Sequence, residues 1–405
     1  MIYPANFEEK IGFDRIREQV TALCSTPSAK AKLAEEGFST SADEIERRLS
    51  LMNEMRSLLM LERDFPDGDY PDPAPLVAKI RVEGSYLLAA EADQLRKALV
   101  TVGAIAEFIL GRGGARYPRL WELSRRVTLF PEIVRAIDVI LDDRGEVKDS
   151  ASPELQQVRR AIREREGQAA KRLQQVLQRA KQAGIVDADA VLSVRDGRPV
   201  IPVAAANKRK LQGFIHDESA TGRTFYVEPV EVVEINNELK ELEYAERREV
   251  VKVLSAFTES IRPDAEAIAD AGDYLSSVDM IRAKARWALA NDAGKPILST
   301  DDRLELRTAR HPLLQQTLRA QGREVVPLDL ALDRRKHILV ISGPNAGGKS
   351  VCLKTTGLMQ YLFQCGYPVP ASEVSELPVF RSIFIDIGDE QSIDDDLSTY
   401  SSHLR

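Results

Sequence analysis

The residues from His337 to Ser350 read HILVISGPNAGGKS, and their pattern indicates how the last third of the chain folds. The apolar run His337–Ile341 predicts a buried strand, and the segment Ser350–Gln364 predicts a helix. Between them, Gly343–Ser350 matches the phosphate-binding pattern G-x-x-x-x-G-K-[ST]. Because this pattern works between a strand and a helix, we expect a nucleotide to bind here.

The residues of this loop have separate expected roles. Its glycines let the backbone wrap tightly, so that N–H groups and the helix N-terminus point at phosphates. Lys349 is expected to reach the β- and γ-phosphates, and the Ser350 hydroxyl to ligate Mg²⁺. The predicted phosphate-binding residues are Gly343, Pro344, Asn345, Ala346, Gly347, Gly348, Lys349 and Ser350.

Composition predicts a helix-rich chain without a membrane segment. The 405 residues carry 29% charged and 6% aromatic side chains, with a net charge of −7, and suffice for two or three domains. No apolar run approaches the eighteen or so residues that span a bilayer, and the N-terminus lacks the features of a signal peptide. Cys24, Cys352 and Cys365 have neither disulfide nor zinc spacing. We therefore expect a cytoplasmic protein.

The middle of the chain predicts an antiparallel arm. Apolar residues recur at helical spacing over Leu155–Ala180 and again over Ile235–Ile261. Ser152 and Pro153 predict the cap and first position of the first helix. Between the helices, residues 191–203 and 211–227 alternate with period two around turn residues, which predicts two hairpins. One helix out, a β-rich tip and one helix back would form such an arm.

Positive charge is concentrated in this arm. Residues 155–223 contain 14 Lys and Arg against 7 acids. A solvated helix face would explain this, and so would a surface that contacts nucleic-acid phosphates without reading bases. Aromatic residues there are sparse (Phe214, Phe225 and Tyr226), so base stacking is not expected. The candidate nucleic-acid contacts are Arg195, Arg198, Lys208, Arg209, Lys210 and Arg223.

Three further stretches of the C-terminal third leave alternatives open. His311, followed by Pro312, suits a structural role as well as a catalytic one. Residues Val379–Phe384 predict a short strand. The acids between Asp386 and Asp396 suit loop solvation or helix capping as well as chemistry. Spacing alone does not choose between these interpretations.

Four segments together resemble the MutS-type ATPases, and within them the bacterial subfamily two. They are ARHPLL at 309–314, ISGPNAGGKSVCLKTTGL at 341–358, DIGDEQSIDDDLSTYSSHL at 386–404, and the run from Val194 to Leu239. The chain also begins in a lever-like helical segment and shows no mismatch-reading domain, as in that subfamily. The resemblance covers essentially the whole chain.

This resemblance implies an ATP site shared between two subunits, with ATP and Mg²⁺ as cofactors. Ser398 matches the signature serine that reaches the γ-phosphate of the opposite subunit. Asp389–Gln391 lies where the family senses the γ-phosphate and magnesium, so Gln391 is a candidate. His311 lies where the family folds a segment near the adenine. The stretch Glu324–Leu328 lacks the aromatic residue that stacks on adenine in mismatch-repair members, which leaves base stacking without its usual residue.

The family's Asp-Glu strand, which supplies the general base, and its C-terminal Smr domain are not found in this sequence, whose last residue is Arg405. We therefore expect the general base to lie beyond Arg405, in a longer protein of which this chain is an N-terminal part. The chain itself would have no catalytic residue and negligible ATP hydrolysis. The parent would be a homodimeric ATP-gated clamp on nucleic acid, either branched DNA or the ribosomal RNA of stalled ribosomes, with nuclease activity in the missing domain. It would have no membrane partner.

The expected fold is mainly α, with lever helices and a small β-rich clamp, followed by a partial α/β P-loop ABC-type ATPase domain. The predicted division is 1–150 for a helical core, 151–262 for the arm with its clamp at 190–227, 263–297 for returning core helices, and 298–405 for the ATPase part. The main rival is a non-enzymatic, dimerising coiled-coil scaffold with a non-functional phosphate loop, although Arg165 and Gln168 interrupt its apolar seam. The short arm argues against a chromosome-maintenance ATPase, and a P-loop kinase would need an acceptor pocket close to the loop.

Overall fold

The computed structural model describes residues 1–195, 197–343 and 348–386, and helices dominate it. The helices are α1 Phe7–Ile11, α2 Phe13–Ala22, α3 Pro27–Glu35, α4 Ala42–Leu61, α5 Ala74–Ile80, α6 Ala89–Gly111, α7 Pro118–Ser124, α8 Pro131–Ile140, α9 Pro153–Gln182, α10 Val230–Ile261, α11 Ala265–Ala290, α12 Pro312–Ala320 and α13 Lys349–Cys365. The strands are β1 Ile2–Tyr3, β2 Ser193–Arg195, β3 Arg198–Ala204, β4 Gly213–Glu218, β5 Thr224–Pro229, β6 Ile297–Leu298, β7 Leu304–Ala309, β8 Leu328–Leu332, β9 Glu376–Leu377 and β10 Ile383–Phe384. The mainly α character that the sequence predicts is confirmed.

Two compact units make up the described chain. The first contains Met1–Ala78, Gln94–Pro131 and the described residues from Asp264 onward. The second contains Lys79–Asp93 and Glu132–Pro263. The four-part division expected from the sequence stays a prediction.

The core of the first unit forms around α13. Tyr361 of this helix lies against three aromatic rings of the N-terminal segments, with ring centroids 4.9 to 5.7 Å apart, those of Phe7, Phe13 and Phe38. Its phenol also donates to Glu8 Oε1 at 2.6 Å. Such pairs add specific contacts to the burial of their area. The C-terminal half of α13 is therefore fixed within the hydrophobic core.

The sheets of the first unit are small and mixed. One has the order β6-β9-β7-β8, in which β6 and β9 run parallel and the other pairs antiparallel. In the other, β1 and β10 run parallel, with Ile2 opposite Ile383. Among the described residues, neither sheet contains a strand that leads into the phosphate loop. The P-loop ATPase sheet of the expected fold therefore remains a prediction.

The predicted strand His337–Ile341 is wrong for the structure. These residues form no strand, and their apolar side chains are exposed, Val340 to 84%. A buried strand needs neighbours that bond its backbone and cover its side chains. Among the described residues no strand pairs with this run. The sequence pattern therefore indicated apolar character correctly and burial incorrectly.

The predicted strand Val379–Phe384 is only partly present, since β10 contains its last two residues. The preceding backbone bonds to side chains of α13 instead of to a strand. Gln364 Nε2 donates to Phe380 O at 2.8 Å, and Gln364 Oε1 accepts from Phe380 N at 3.1 Å. Gln360 Nε2 donates to Pro378 O at 2.7 Å. These buried amides satisfy backbone groups that a sheet would otherwise bond.

The second unit contains the arm and its β-rich tip, as the sequence predicts. Ser152 caps α9 by accepting from Leu155 N at 3.0 Å, with Pro153 in the first turn. Between α9 and α10 the chain forms a sheet of order β2-β3-β5-β4, which we call the clamp sheet. Both predicted hairpins are confirmed as antiparallel pairs, β2 with β3 and β4 with β5. Val203 and Val227 of the sheet pack with the end of α9 in one apolar cluster.

None of the helices in the described ranges combines the length and the apolar composition that crossing a bilayer requires.

Candidate functional site

The phosphate-loop helix begins directly after a glycine in the left-handed conformation. Gly348 has φ 77° and ψ 15°, and Lys349 is the first residue of α13. Side chains with a Cβ atom disfavour this conformation by about 1 to 2 kcal/mol, so glycine suits position 348. The N–H groups of the first turn lack carbonyl partners within the helix, and the helix dipole places positive potential there. The helix N-terminus is thus suited to an anion.

The ammonium group of Lys349 folds back across the loop and donates to the carbonyl oxygen of Gly343. This contact joins the two ends of the predicted loop, while Pro344–Gly347 lie outside the described residues. A bound phosphate would compete with the Gly343 carbonyl for the same ammonium. The Lys349 ammonium is therefore held beside Gly343 without being buried.

Ser350 follows in the first turn of α13, where the sequence places a magnesium ligand. The described residues contain no cluster of three or more His, Cys, Asp or Glu side chains suited to a metal. Mg²⁺ in nucleotide sites takes one or two protein oxygens and completes its shell with phosphate oxygens and water. The Ser350 hydroxyl fits that kind of site, and its role remains a prediction.

His311, a candidate residue near the nucleotide, lies inside the first unit and is only 3% exposed. Burial lowers the pKa of its ring to about 4, and the positive charges of Lys354 and Arg15 act in the same direction, against a backbone contact with Ile11. The ring is therefore neutral at pH 7. Burial favours the structural alternative for His311, and its expected place near the adenine stays a prediction.

The remaining predictions for the C-terminal segment concern residues outside the described part of the chain, which ends at position 386. The nucleotide candidates Gln391 and Ser398 lie there, as do Asp389 and Glu390. Arg405, beyond which the sequence predicts the general base, lies there too. The expected absence of a catalytic residue up to Arg405 therefore stays a prediction.

In the second unit, a buried carboxylate that the sequence did not indicate organises the clamp sheet. Glu228 is 1% exposed and accepts from Arg198 Nη1 at 2.8 Å and from Asn236 Nδ2 at 2.6 Å. His216 Nε2 forms a further bond to it. Burial alone would raise the pKa of Glu228, but the bonds from Asn236, His216 and Arg198 hold it below its ordinary value. Glu228 is therefore ionised at neutral pH.

Arg198, a candidate nucleic-acid contact, is thereby bound within the protein. One feature of the sequence could have predicted this contact. Glu228 is an acid within the otherwise apolar strand Thr224–Pro229, and a buried acid needs a basic or amide partner.

Two other basic candidates cover aromatic rings on opposite faces of the clamp sheet. The Lys208 ammonium lies 4.5 Å from the ring centroid of Phe225, and the Arg195 guanidinium lies 3.9 Å from that of Tyr226. Arg195 also pairs with Asp217 at 2.9 Å. Successive residues of a strand point to opposite faces, so Lys208 and Arg195 belong to different faces. The candidates therefore do not form one continuous basic surface.

The structure does bring together the basic turn Lys208–Lys210 and Arg223, and all four side chains are exposed. Ala205 N, just before this turn, donates to Arg223 O at 2.9 Å, which holds the two loops side by side. Asn207 Nδ2 donates to Ile185 O at 3.0 Å and so fixes the turn to the segment after α9. These four cations form one patch on an anchored backbone.

The two arm helices are each other's partners. Ion pairs link them along their length in opposite directions, as an antiparallel pair requires. They are Arg159–Glu246 at 2.7 Å, Arg165–Glu238 at 2.9 Å and Arg179–Glu231 at 3.3 Å. Arg165, the residue that interrupts the apolar seam, thus has its acid on the other helix of the same chain. This pairing weakens the case for an arm that exists to dimerise.

Comparison with known proteins places the chain in a family. The family model of MutS domain V matches residues 339–405. "Endonuclease MutS2" of Thermomicrobium roseum is 36% identical over 406 residues, which cover 97% of this chain and 50% of that protein. "Endonuclease MutS2" of Bacillus velezensis and "Putative endonuclease MutS2" of Bacillus subtilis are each 34% identical, over 97% of this chain and 49% of their own length.

The chain spans about half the length of the curated relatives it matches. The chain is a member of the MutS family, of the MutS2 type.

Proposed function

We propose that this chain binds ATP with Mg²⁺ at Gly343–Ser350 and a nucleic-acid backbone at the basic turn. One observation carries the first part: α13 begins at Lys349 directly after the left-handed Gly348, with the lysine held across the loop. The helix N-terminus and the ammonium converge where a triphosphate would lie. Lys349 would neutralise phosphate charge, and Ser350 would contribute one oxygen to the metal. When bound, Mg²⁺ would offset the negative charge of the ATP phosphates.

Equilibrium binding of a fluorescent ATP analogue in the presence of Mg²⁺ tests this site. Lys349→Ala is expected to weaken binding by at least tenfold, because a charge-assisted bond to phosphate is worth about 1.5 to 3 kcal/mol. Lys336→Ala is the matched control, since Lys336 precedes the loop and its side chain is exposed. Equal affinity for both variants would refute the phosphate role of Lys349.

The second part depends on the four exposed cations at Lys208–Lys210 and Arg223. Phosphate contacts supply most non-specific affinity for nucleic acids and give binding that weakens steeply with salt. The relatives are named endonucleases, and we propose branched DNA or ribosomal RNA as the polyanion of the whole protein. We further propose a homodimer in which ATP binding at paired sites closes the arms, with Ser398 completing the partner's site.

Affinity measured over a series of salt concentrations tests the basic turn. Replacing Lys208, Arg209 and Lys210 with Ala should reduce the slope of log affinity against log salt by about 2 to 3, near 0.9 for each lost phosphate contact on duplex DNA. Replacement of Arg160, Lys171 and Arg172, exposed cations of α9, controls for net charge. If the turn variant shows the same slope of log affinity against log salt as the unaltered chain, the basic turn does not contact the phosphates.

A further inference from the structure

A cleft lies between the two arm helices and the hairpin β2–β3 of the clamp sheet, within the second unit. Its volume is about 590 Å³, which is in the range of roughly 300 to 1,000 Å³ of small-molecule sites. From α9 it is lined by Ala169 and Ala170, and these short side chains leave room beside α10. Leu239 of α10 and Pro199 of β3 add apolar walls. The cleft is therefore large enough for a molecule of nucleoside size.

One wall of the cleft contains a buried acceptor without a donor. Asn236 lines the cleft, is 4% exposed, and donates through Nδ2 to the carboxylate of Glu228. An ionised carboxylate only accepts, so this bond fixes which atom of the amide faces Glu228. The other amide atom, Asn236 Oδ1, is buried and has no donor among the described residues. Since buried polar atoms of folded proteins are almost always satisfied, a ligand with an N–H donor would complete this wall.

A donor lies beside this acceptor in the same wall. Arg198, which also lines the cleft, donates to Glu228 through Nη1 and to Asn237 through Nη2. Its Nε–H has no acceptor among the described residues. Because Arg198 and Asn236 bond the same carboxylate, their guanidinium and amide groups are neighbours. A ligand edge that carries a donor next to an acceptor complements this pair.

The rim of the cleft carries equal numbers of opposite charges. Lys240 and Arg247 contribute two cations, and Glu166 and Glu243 contribute two anions. All four side chains are exposed and form no ion pair with another described residue. The bonded groups of the wall add no net charge, so the lining sums to zero. Because binding sites match the charge of their ligands, this lining disfavours inorganic phosphate, a triphosphate or a polyamine and favours a neutral ring with apolar faces and a polar edge.

Nucleobases combine these properties. Proteins that hold a base outside a duplex form hydrogen bonds to its Watson–Crick edge and pack its faces between apolar or aromatic side chains. We propose that the cleft binds a nucleobase whose exocyclic amino group donates to Asn236 Oδ1. The base belongs either to a free nucleoside or to an unpaired nucleotide of a bound nucleic acid, and the second source rests on the proposed function.

Pairs of nucleosides that differ by one amino group test the bond to Asn236. The pairs are cytidine and pyrimidin-2-one riboside, adenosine and purine riboside, and guanosine and inosine. In calorimetric titrations of the whole 405-residue chain, the member without the amino group should bind at least about fivefold more weakly in the preferred pair, because it leaves a buried acceptor unsatisfied. Equal affinity within every pair, or no binding of any nucleoside, would overturn the proposal.

A bulky side chain inside the cleft tests where the nucleoside binds. Ala170 is exposed and lines the cleft, so Ala170→Phe should occupy part of the space and weaken binding of the preferred nucleoside by at least about tenfold. Gln175→Phe is the matched control, because Gln175 is an exposed residue of the same helix that does not line the cleft. Circular dichroism checks that both variants fold. If Ala170→Phe binds the nucleoside as tightly as Gln175→Phe does, the nucleoside lies elsewhere and the proposal is wrong.

Two labelled duplexes distinguish the two sources of the base. One is fully paired, and the other carries a single unpaired nucleotide with the preferred base at its centre. If the base comes from nucleic acid, the unaltered chain should bind the second duplex at least about fivefold more tightly at low salt, and Ala170→Phe should lose this preference. Equal binding of both duplexes would exclude the strand and assign the cleft to free nucleosides. Failure to bind either duplex would overturn the proposed nucleic-acid function, while the nucleoside titrations still decide the cleft.

Discussion

Two short apolar runs of this protein have similar sequences, but one forms a buried strand and the other forms no strand. Val200–Val203 lies within β3, which bonds to β2 on one side and β5 on the other and packs against α9. Ile338–Ile341 forms no strand and exposes its side chains. Both runs are rich in β-branched residues, so local preference does not separate them. The difference lies in whether the described chain provides neighbours close in sequence.

The largest expected effect tests how far the clamp sheet depends on its buried carboxylate. Glu228→Ala leaves Arg198, His216 and Asn236 without their acceptor, and loss of one partner of a buried ionic group costs about 3 to 5 kcal/mol. Hydrogen exchange should accelerate across residues 193–229 and remain unaltered in the first unit. The matched control, Glu218→Ala on the exposed edge strand, should leave exchange unaltered. Equal protection in the two variants would contradict the network.

His311 provides a pH test of the first unit. Its pKa is about 4 in the fold and 6.5 when unfolded, so protons favour the unfolded state. Above pH 6.5, His311 does not reduce the free energy of unfolding. As the pH decreases toward 4, protonation of this ring in the unfolded state lowers the free energy of unfolding by up to about 3 kcal/mol. Urea unfolding followed by tryptophan fluorescence reports this unit, because both tryptophans, Trp121 and Trp287, belong to it. His311→Gln should remove this part of the pH dependence, and an unaltered profile would contradict the buried neutral ring.

The two ends of the phosphate loop should respond differently to a methyl group. Gly348→Ala forces a Cβ atom into the left-handed conformation and should cost about 1 to 2 kcal/mol, as well as affinity for nucleotide. Gly343→Ala is the control, because a Cβ atom there meets no heavy atom within 4 Å. The unfolding free energy of the Gly343→Ala variant should stay within about 0.5 kcal/mol of that of the unaltered chain. Equal costs would show that the conformation at 348 is not the determinant.

The smallest expected effect addresses the two apolar runs directly. Val340→Thr adds a hydroxyl at an exposed position and should alter the unfolding free energy by less than about 0.5 kcal/mol. The same substitution at the fully buried Val203 places a hydroxyl in the clamp core and should cost about 1 to 3 kcal/mol. A large cost at Val340 would show that this run is buried in solution.

Sequence reasoning succeeded where the determinants are local. The cap at Ser152, the proline after it and the alternation in the two hairpins lie within a few residues of the structure they specify. It failed at His337–Ile341 and for most of Val379–Phe384, where the outcome depends on partners outside the segment itself. The bonds from Gln360 and Gln364 to the second segment join residues that are no more than 18 apart, yet no periodicity announces them.

The candidate site divides in the same way. The glycine-rich pattern indicates the helix start at Lys349, because the loop and the helix are adjacent in sequence. The pattern of basic residues did not show that Arg198 is bound to Glu228 or that Arg195 and Lys208 occupy opposite faces. These contacts depend on how the strands are paired, because a shift of the register by one residue moves every side chain of a strand to the other face of the sheet.

The pairing of β1 with β10 has a consequence for synthesis on the ribosome. Ile2 lies opposite Ile383 and Tyr3 opposite Phe384, so the first strand to be translated waits for almost the whole chain before its partner exists. At about 5 to 20 residues per second, that delay is roughly 20 to 80 seconds. The arm and clamp sheet, whose partners are neighbours in sequence, can fold during this interval. Closure of the first unit is therefore a late event, and a pause in translation after the arm would lengthen the time for which the N-terminal segment stays unpaired.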